Sequence, residues 1–195
     1  FKDMDAKDLA SYAGTAQRLS QRLICSEAAM RLWPIATSDI SKAFLQGVTY
    51  KELADLTGEP IREVNFYLPD YCIPLLRECP GFESFDPAKE VLHCDKPGTG
   101  CNDAPRCFSM KLAQVTRDAC GMRPCTVDNE MCMLHEAVSG ESDIAAPKKL
   151  KAVMTKHVDD LKLTGSRETI IWILQQVEKV FGKLKIDWHN FTNCG

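Results

Sequence analysis

The chain predicts an α+β fold, an antiparallel sheet with helices packed on one face. Three observations carry this. Residues 166–182 hold the clearest amphipathic helix, with Ile170, Ile173, Leu174, Val177, Val180 and Phe181 at i, i+3, i+4, i+7, i+10 and i+11. Two β-prone runs, Leu150–His157 and Leu161–Thr164, flank Val158-Asp159-Asp160 and read as a hairpin with acids at its tip. The order strand, helix, hairpin, helix, strand then favours an antiparallel sheet covered by helices.

The elements follow in order. Residues 7–32 carry Leu19, Leu23, Ile24, Ala28, Met30 and Leu32 at mixed helical spacing, and Pro34 ends that helix. Ile35–Ile40 reads as a short strand. Residues 48–90 are rich in Pro, Gly and charge, a loop-rich excursion with one short helix. Val91–Cys94 is a short strand, and Lys96-Pro97-Gly98-Thr99-Gly100 is a turn. Asn102 or Asp103 can cap a helix running to about Cys120, with Pro105 tolerated in its first turn. Met131–His135 reads as a strand and Ser139–Lys149 as a solvated loop. Ser166 caps the last helix, Gly182 suits its C-terminal end, and Lys183–His189 closes the sheet.

The 195 residues suit one domain, with an N-terminal helical part (1–34) and a sheet-bearing part (35–195). Hydrophobic residues make up 45% and charged residues 26%, and no apolar run approaches the roughly 18 residues of a membrane span. The polar start at Phe1 and the end at Gly195 read as cuts from a longer polypeptide. A net charge of −3 argues against strong nucleic-acid binding by this chain alone. The ten cysteines form no zinc-ligand spacing and read as reduced, half-buried residues of an intracellular protein.

Two adjacent aspartates in a hairpin are unfavourable, because Asp is depleted in strands and like charges repel. A hard divalent cation removes the conflict, since Mg²⁺ takes oxygen ligands and keeps waters that a phosphate can displace. Asp39, ending an apolar strand, is the candidate third carboxylate. Without such a cation, Asp159-Asp160 is a solvated turn.

Four segments in series narrow the choice. His157-Val158-Asp159-Asp160 resembles the Tyr-x-Asp-Asp box of reverse transcriptases. Asp39-Ile40-Ser41-Lys42-Ala43-Phe44-Leu45-Gln46-Gly47 resembles the Asp-Val-x-x-Ala-Phe-Leu-x-Gly pattern of the copia retrotransposon type. Pro80-Gly81-Phe82 resembles that family's Pro-x-Gly-Phe element, and Gly100–Phe108 its Gly-Leu-Lys-Gln-Ala-Pro-Arg-x-Trp segment. Together they cover about residues 15–195.

The resemblance implies an incomplete reverse-transcriptase palm, a ferredoxin-like antiparallel sheet with incomplete fingers, no thumb and an insertion at about 48–90. It implies RNA-directed DNA polymerase activity with two Mg²⁺ ions, or Mn²⁺. Asp39, Asp159 and Asp160 would be the catalytic metal-holding carboxylates, and the Ile40 carbonyl a further ligand. Phe44 would be the steric gate against a 2′-hydroxyl. Gly100, Asn102, Ala104 and Pro105 would line the incoming nucleotide and template base, and His157 and Val158 would lie near the primer end. The implied partners are an RNA or DNA template with primer, deoxynucleoside triphosphates, and the rest of a Pol polyprotein (fingers, thumb, RNase H, integrase), with no membrane. The implied location is a cytoplasmic virus-like particle or the nucleus. The chain departs from the pattern where His157 replaces Tyr, Asn102 replaces Lys and Thr99 replaces Tyr. A non-catalytic or decayed palm-fold remnant that binds nucleic acid is the alternative.

Overall fold

The computed structural model describes residues 11–136 and 149–188. Among these are five α-helices and eight strands: α1 (Arg18–Arg31), β1 (Ile35–Asp39), α2 (Tyr50–Thr57), β2 (Asn65–Phe66), α3 (Ile73–Arg77), β3 (Leu92–His93), α4 (Ala104–Asp118), β4 (Arg123–Cys125), β5 (Asp128–His135), β6 (Leu150–His157), β7 (Asp160–Gly165), α5 (Arg167–Phe181) and β8 (Lys185–Asp187). Short 3₁₀ turns at Ala43–Gln46 and Asp70–Cys72 complete them. Six strands form one antiparallel sheet in the order β4-β5-β6-β7-β1-β8, and β2 pairs with β3 separately. The start of the first predicted helix (7–10), loop residues 139–148 and His189 of the closing strand lie outside the described residues.

The β6–β7 hairpin forms where the β-branched and apolar runs require it. Its ladder runs from Ala152 opposite Gly165 to His157 opposite Asp160. Helix α5 starts at Ser166, whose hydroxyl accepts the Thr169 N–H at 3.2 Å. Ile170, Ile173, Leu174, Val177 and Phe181 bury their side chains against Ala36, Leu161 and Leu163 of the sheet. Val180, expected on the same face, is exposed, because the stripe that meets the sheet passes through Val177 and Phe181 and leaves position 180 on the flank. Helix α4 completes this layer, its Phe108 ring meeting Phe181 edge-on at 5.7 Å.

The expected one-sided helical layer is incomplete, since α1 covers the opposite face. Along β6, Ala152 and Met154 join the α4–α5 core, whereas Val153 packs with Ile24 of α1 and Met131. Neighbouring strand residues point to opposite faces, so both faces are covered. A strand buried on both sides is apolar throughout instead of alternating, and Ala152-Val153-Met154 has that character. In α1 the buried stripe is Ser20, Ile24 and Ala28 at spacing four, while Leu19, Leu23, Met30 and Leu32 are exposed. Mixed spacing in the sequence hid that stripe, because its first member is a serine.

Polar groups under α1 find partners. Gln21 Oε1 accepts from Lys162 Nζ at 2.8 Å and from Thr155 Oγ1 at 3.3 Å. Asp128 accepts from the Gln17 and Glu130 N–H groups and from the Ser20 hydroxyl. Burial raises the Asp128 pKa, but those hydrogen bonds, with Lys156 nearby, outweigh it and hold the carboxyl below its ordinary value. The unfolded carboxyl titrates near pH 4. Its contribution to stability is therefore present above about pH 4 and lost as pH falls through the lower folded value. Asp128→Asn is expected to flatten the acid limb of a melting-temperature profile below about pH 4. An unchanged limb would show that this carboxylate does not anchor α1.

The 48–90 excursion holds two short helices where one is expected. Helix α2 carries a complete capping box, Thr49 with Glu52, and ends at Gly58 in the left-handed region (φ 72°). Strand β4 was not expected, because Pro124 speaks against a strand, and it lies at a sheet edge where a missing N–H is tolerated. Gly47 brings the segment after β1 against α4. A Cβ there would lie 2.9 Å from the Cys107 carbonyl carbon and the Phe108 nitrogen, and the Val48 N–H bonds the Cys107 carbonyl at 3.2 Å.

Candidate active site at the strand tips

Strand β1 lies between β7 and β8, so its last residue has a neighbour on each side. Asp39 stands opposite Asp160 in one ladder and opposite Lys185 in the other. Directly opposed residues share a face, with Cβ atoms about 4.5–5.5 Å apart. His157 opposes Asp160 in turn and bridges to Thr15. This row lies on the α1 side of the sheet, continuous with Thr155 and Lys162 and away from the α4–α5 core.

Between His157 and Asp160 the hairpin turns through Val158 and Asp159. Val158 has φ 57°. A β-branched residue in the left-handed region is strained, at about 1–3 kcal/mol, and Gly is the usual occupant of such a position in a two-residue hairpin. The strain coincides with the only adjacent aspartate pair on these strands. The Asp159 carbonyl accepts the Ile40 N–H at 3.3 Å, joining the turn to the end of β1. Asp39 and Asp159 are half-buried and Asp160 is exposed. The Ile40 side chain is 1% exposed and belongs to the core, which leaves only its main chain for a ligand.

The backbone thus gathers Asp39, Ile40, His157, Val158, Asp159 and Asp160 at one end of three neighbouring strands. Like charges directly opposite each other are destabilising. Lys185 stands opposite Asp39 in the other ladder, and sequence reading missed it because a lysine in a short closing strand carries no signal of its register. Among the described residues, no three His, Cys, Asp or Glu side chains are grouped so as to hold a metal ion. The register opposes two carboxylates and sets a third in the adjoining turn, and carboxylate oxygen is the donor type that Mg²⁺ or Mn²⁺ prefers.

The other predicted residues form a second group around the N-terminal end of α4. Phe44 lies in the 3₁₀ turn Ala43–Gln46 and is half-buried against the main core. The Gln46 amide fixes that turn by donating to the Ser41 and Phe181 carbonyls at 2.8 and 3.1 Å. Gly100 is exposed with φ 100°. Asn102 and Pro105 are half-buried, and Ala104, at 1% exposure, has only its backbone to offer. The segment 43–48, packed on α4, links this group to the strand tips.

Sequence reading missed the charges that organise this second group. Arg62 Nη1 donates to Asp103 Oδ2 at 2.7 Å, and the Asp103 side chain is 2% exposed. Asp103 Oδ1 and the Tyr50 hydroxyl, both buried, have no hydrogen-bond partner among the described residues. Burial, then the neighbouring Asp103, push the Tyr50 hydroxyl far above its ordinary pKa. Asn102 or Asp103 was expected to cap α4; Asp103 takes the N-cap position, yet its side chain makes no cap and pairs with Arg62 instead. Arg106 forms a two-pronged pair with Glu59, both contacts at 2.8 Å. Arg62 and Glu59 fall in the stretch that composition marks as loop, where nothing signals a long-range partner.

Compared with protein-family models, curated proteins and solved structures, the chain matches none. Among the described residues, no helix is long and apolar enough to cross a membrane.

Proposed function

We propose that this chain is part of an RNA-directed DNA polymerase palm of the copia retrotransposon type, working by two-metal nucleotidyl transfer. The observation that carries the reading is the direct opposition of Asp39 and Asp160, joined to Asp159 through a strained turn. Strain and like-charge opposition in one place are costs that a fold with no use for the acids has no reason to keep.

Asp39, Asp159 and Asp160 would hold the metals, with the Ile40 carbonyl as a further ligand. Mg²⁺ bound by them would supply activation of a primer 3′-hydroxyl and charge stabilisation of the departing pyrophosphate. His157, beside Asp160, would position the primer end with Val158. Gly100, Asn102, Ala104 and Pro105 would border the incoming nucleotide and template base. Template with primer and deoxynucleoside triphosphates are the proposed partners, along with the rest of a Pol polyprotein, in a virus-like particle or the nucleus. The test is primer extension with Asp159→Asn as the diagnostic variant.

Phe44 would reject ribonucleotides through a clash felt only by a 2′-hydroxyl. In an active, longer chain, Phe44→Val is expected to raise ribonucleotide over deoxynucleotide incorporation by roughly tenfold or more, a transition-state difference of at least about 1.4 kcal/mol. Competing incorporation of the two substrates measures it. Equal effects on both would return Phe44 to a packing role. A second reading, a non-catalytic nucleic-acid-binding remnant, is favoured by the missing three-ligand grouping among the described side chains. Retained template binding without magnesium-dependent extension would support it.

A further inference from the structure

Outside the acid-bearing tips, the turn before α4 borders an open cleft of about 260 Å³ lined by Val64, Phe66, Cys94, Gly98, Thr99 and Cys101. Two of the six lining residues are cysteines. Cys94 extends the β2–β3 ladder, its N–H bonding the Val64 carbonyl at 2.9 Å. Cys101 closes the following turn, its N–H bonding the Gly98 carbonyl at 3.1 Å, next to Gly100 at φ 100°. The chain therefore reverses between them and returns the second thiol to the wall that holds the first. Cys94 is half-buried and Cys101 is 8% exposed. Burial pushes the Cys94 thiol up, and the neighbouring Cys101 and Asp95 push it further.

We propose that Cys94 and Cys101 are a modification site, a dithiol pair that closes to an intramolecular disulfide when a small-molecule disulfide is present. At a pH high enough to ionise its raised thiol, Cys94, the more accessible of the two, attacks as the thiolate one sulfur of oxidised glutathione. A mixed disulfide forms and one glutathione thiolate leaves. The Cys101 thiolate then attacks the Cys94 sulfur, the Cys94–Cys101 bond forms, and the second glutathione leaves. Two protein thiols are oxidised and one glutathione disulfide is reduced to two thiols. The bond would pin the Lys96–Gly100 turn across the cleft. A second neighbouring pair, Cys120 and Cys132, lies in the core at 0% and 3% exposure and serves as an internal control that remains reduced in the folded chain. The proposal does not depend on polymerase activity, so either reading can fail alone.

The experiment exposes the folded 195-residue chain to oxidised glutathione, blocks remaining thiols by alkylation, and maps peptides by mass without reduction. The expected result is one linked species joining Cys94 to Cys101, lighter by two hydrogens and restored by dithiothreitol, with Cys120 and Cys132 still free. Cys101→Ser is expected to stop at a persistent glutathione adduct on Cys94. Loss of the linked species in favour of an equally persistent adduct in the unsubstituted chain would overturn the proposal, as would an unreacted Cys94.

Discussion

Replacing Asp159 with Asn is expected to lower magnesium-dependent primer extension on poly(rA)·oligo(dT) by on the order of 10²–10³-fold, the cost of removing one preorganised electrostatic contact from a transition state. On the proposed reading, the measurement uses this palm joined to fingers and thumb segments of the same polymerase type. The 195-residue chain alone is expected to give no extension, because its net charge of −3 works against phosphate binding. Asp39→Asn is expected to match Asp159→Asn. Asp118→Asn, at an exposed residue paired with its neighbour Arg117, is expected to leave the rate unchanged. Loss of fold and loss of chemistry separate cleanly here. Removing Asp39, one of the two opposed carboxylates, relieves repulsion, so Asp39→Asn is not expected to melt below the parent. Extension that survives Asp159→Asn would sink the polymerase reading.

Arg62→Ala is expected to destabilise the fold by about 3–5 kcal/mol, among the largest single-residue effects available in this chain. The cause is the partner left behind. Asp103 is 1% exposed, its Oδ1 already lacks a hydrogen-bond partner, and Arg62 holds its other oxygen. Removing the guanidinium leaves a buried, uncompensated carboxylate beside the unpartnered Tyr50 hydroxyl. Urea unfolding measures the loss. The double replacement Arg62→Met with Asp103→Leu is expected to recover most of it, since an apolar pair of similar volume carries no desolvation cost. Glu59→Ala provides the contrast. Its two-pronged pair with Arg106 is about as short, at 2.8 Å, but Glu59 is 47% exposed, so a much smaller loss is expected. Similar losses for Arg62→Ala and Glu59→Ala would show that burial does not set the strength of these pairs.

Local pattern sufficed wherever an element answers to its own residues. Helix α5 declares itself through a 3.6-residue stripe between a capping Ser166 and a terminal Gly182. The β6–β7 hairpin declares itself because two β-prone runs flank Val158-Asp159-Asp160, and Asp159 and Asp160 stand out because repelling acids there require a reason. Pattern failed where a partner lies far along the chain. The stripe of α1 is anchored by Ser20, whose burial follows from Asp128, 108 positions away. The closure of α4 by Arg62 depends on a pairing across 41 positions, within a stretch that composition reads as loop.

The sequence by itself determined that Asp39 ends an apolar strand and that Asp159 and Asp160 occupy a hairpin tip. Both follow from short-range periodicity and turn chemistry. Only the tertiary structure decided that Asp39 faces Asp160 in register, with Lys185 on its other side and α1 covering the same sheet face. Register is a property of strand pairs. A one-residue slip of β1 against β7 would turn Asp39 into the α4–α5 core, and burial of Ala36 and Ile40 on that side forbids it.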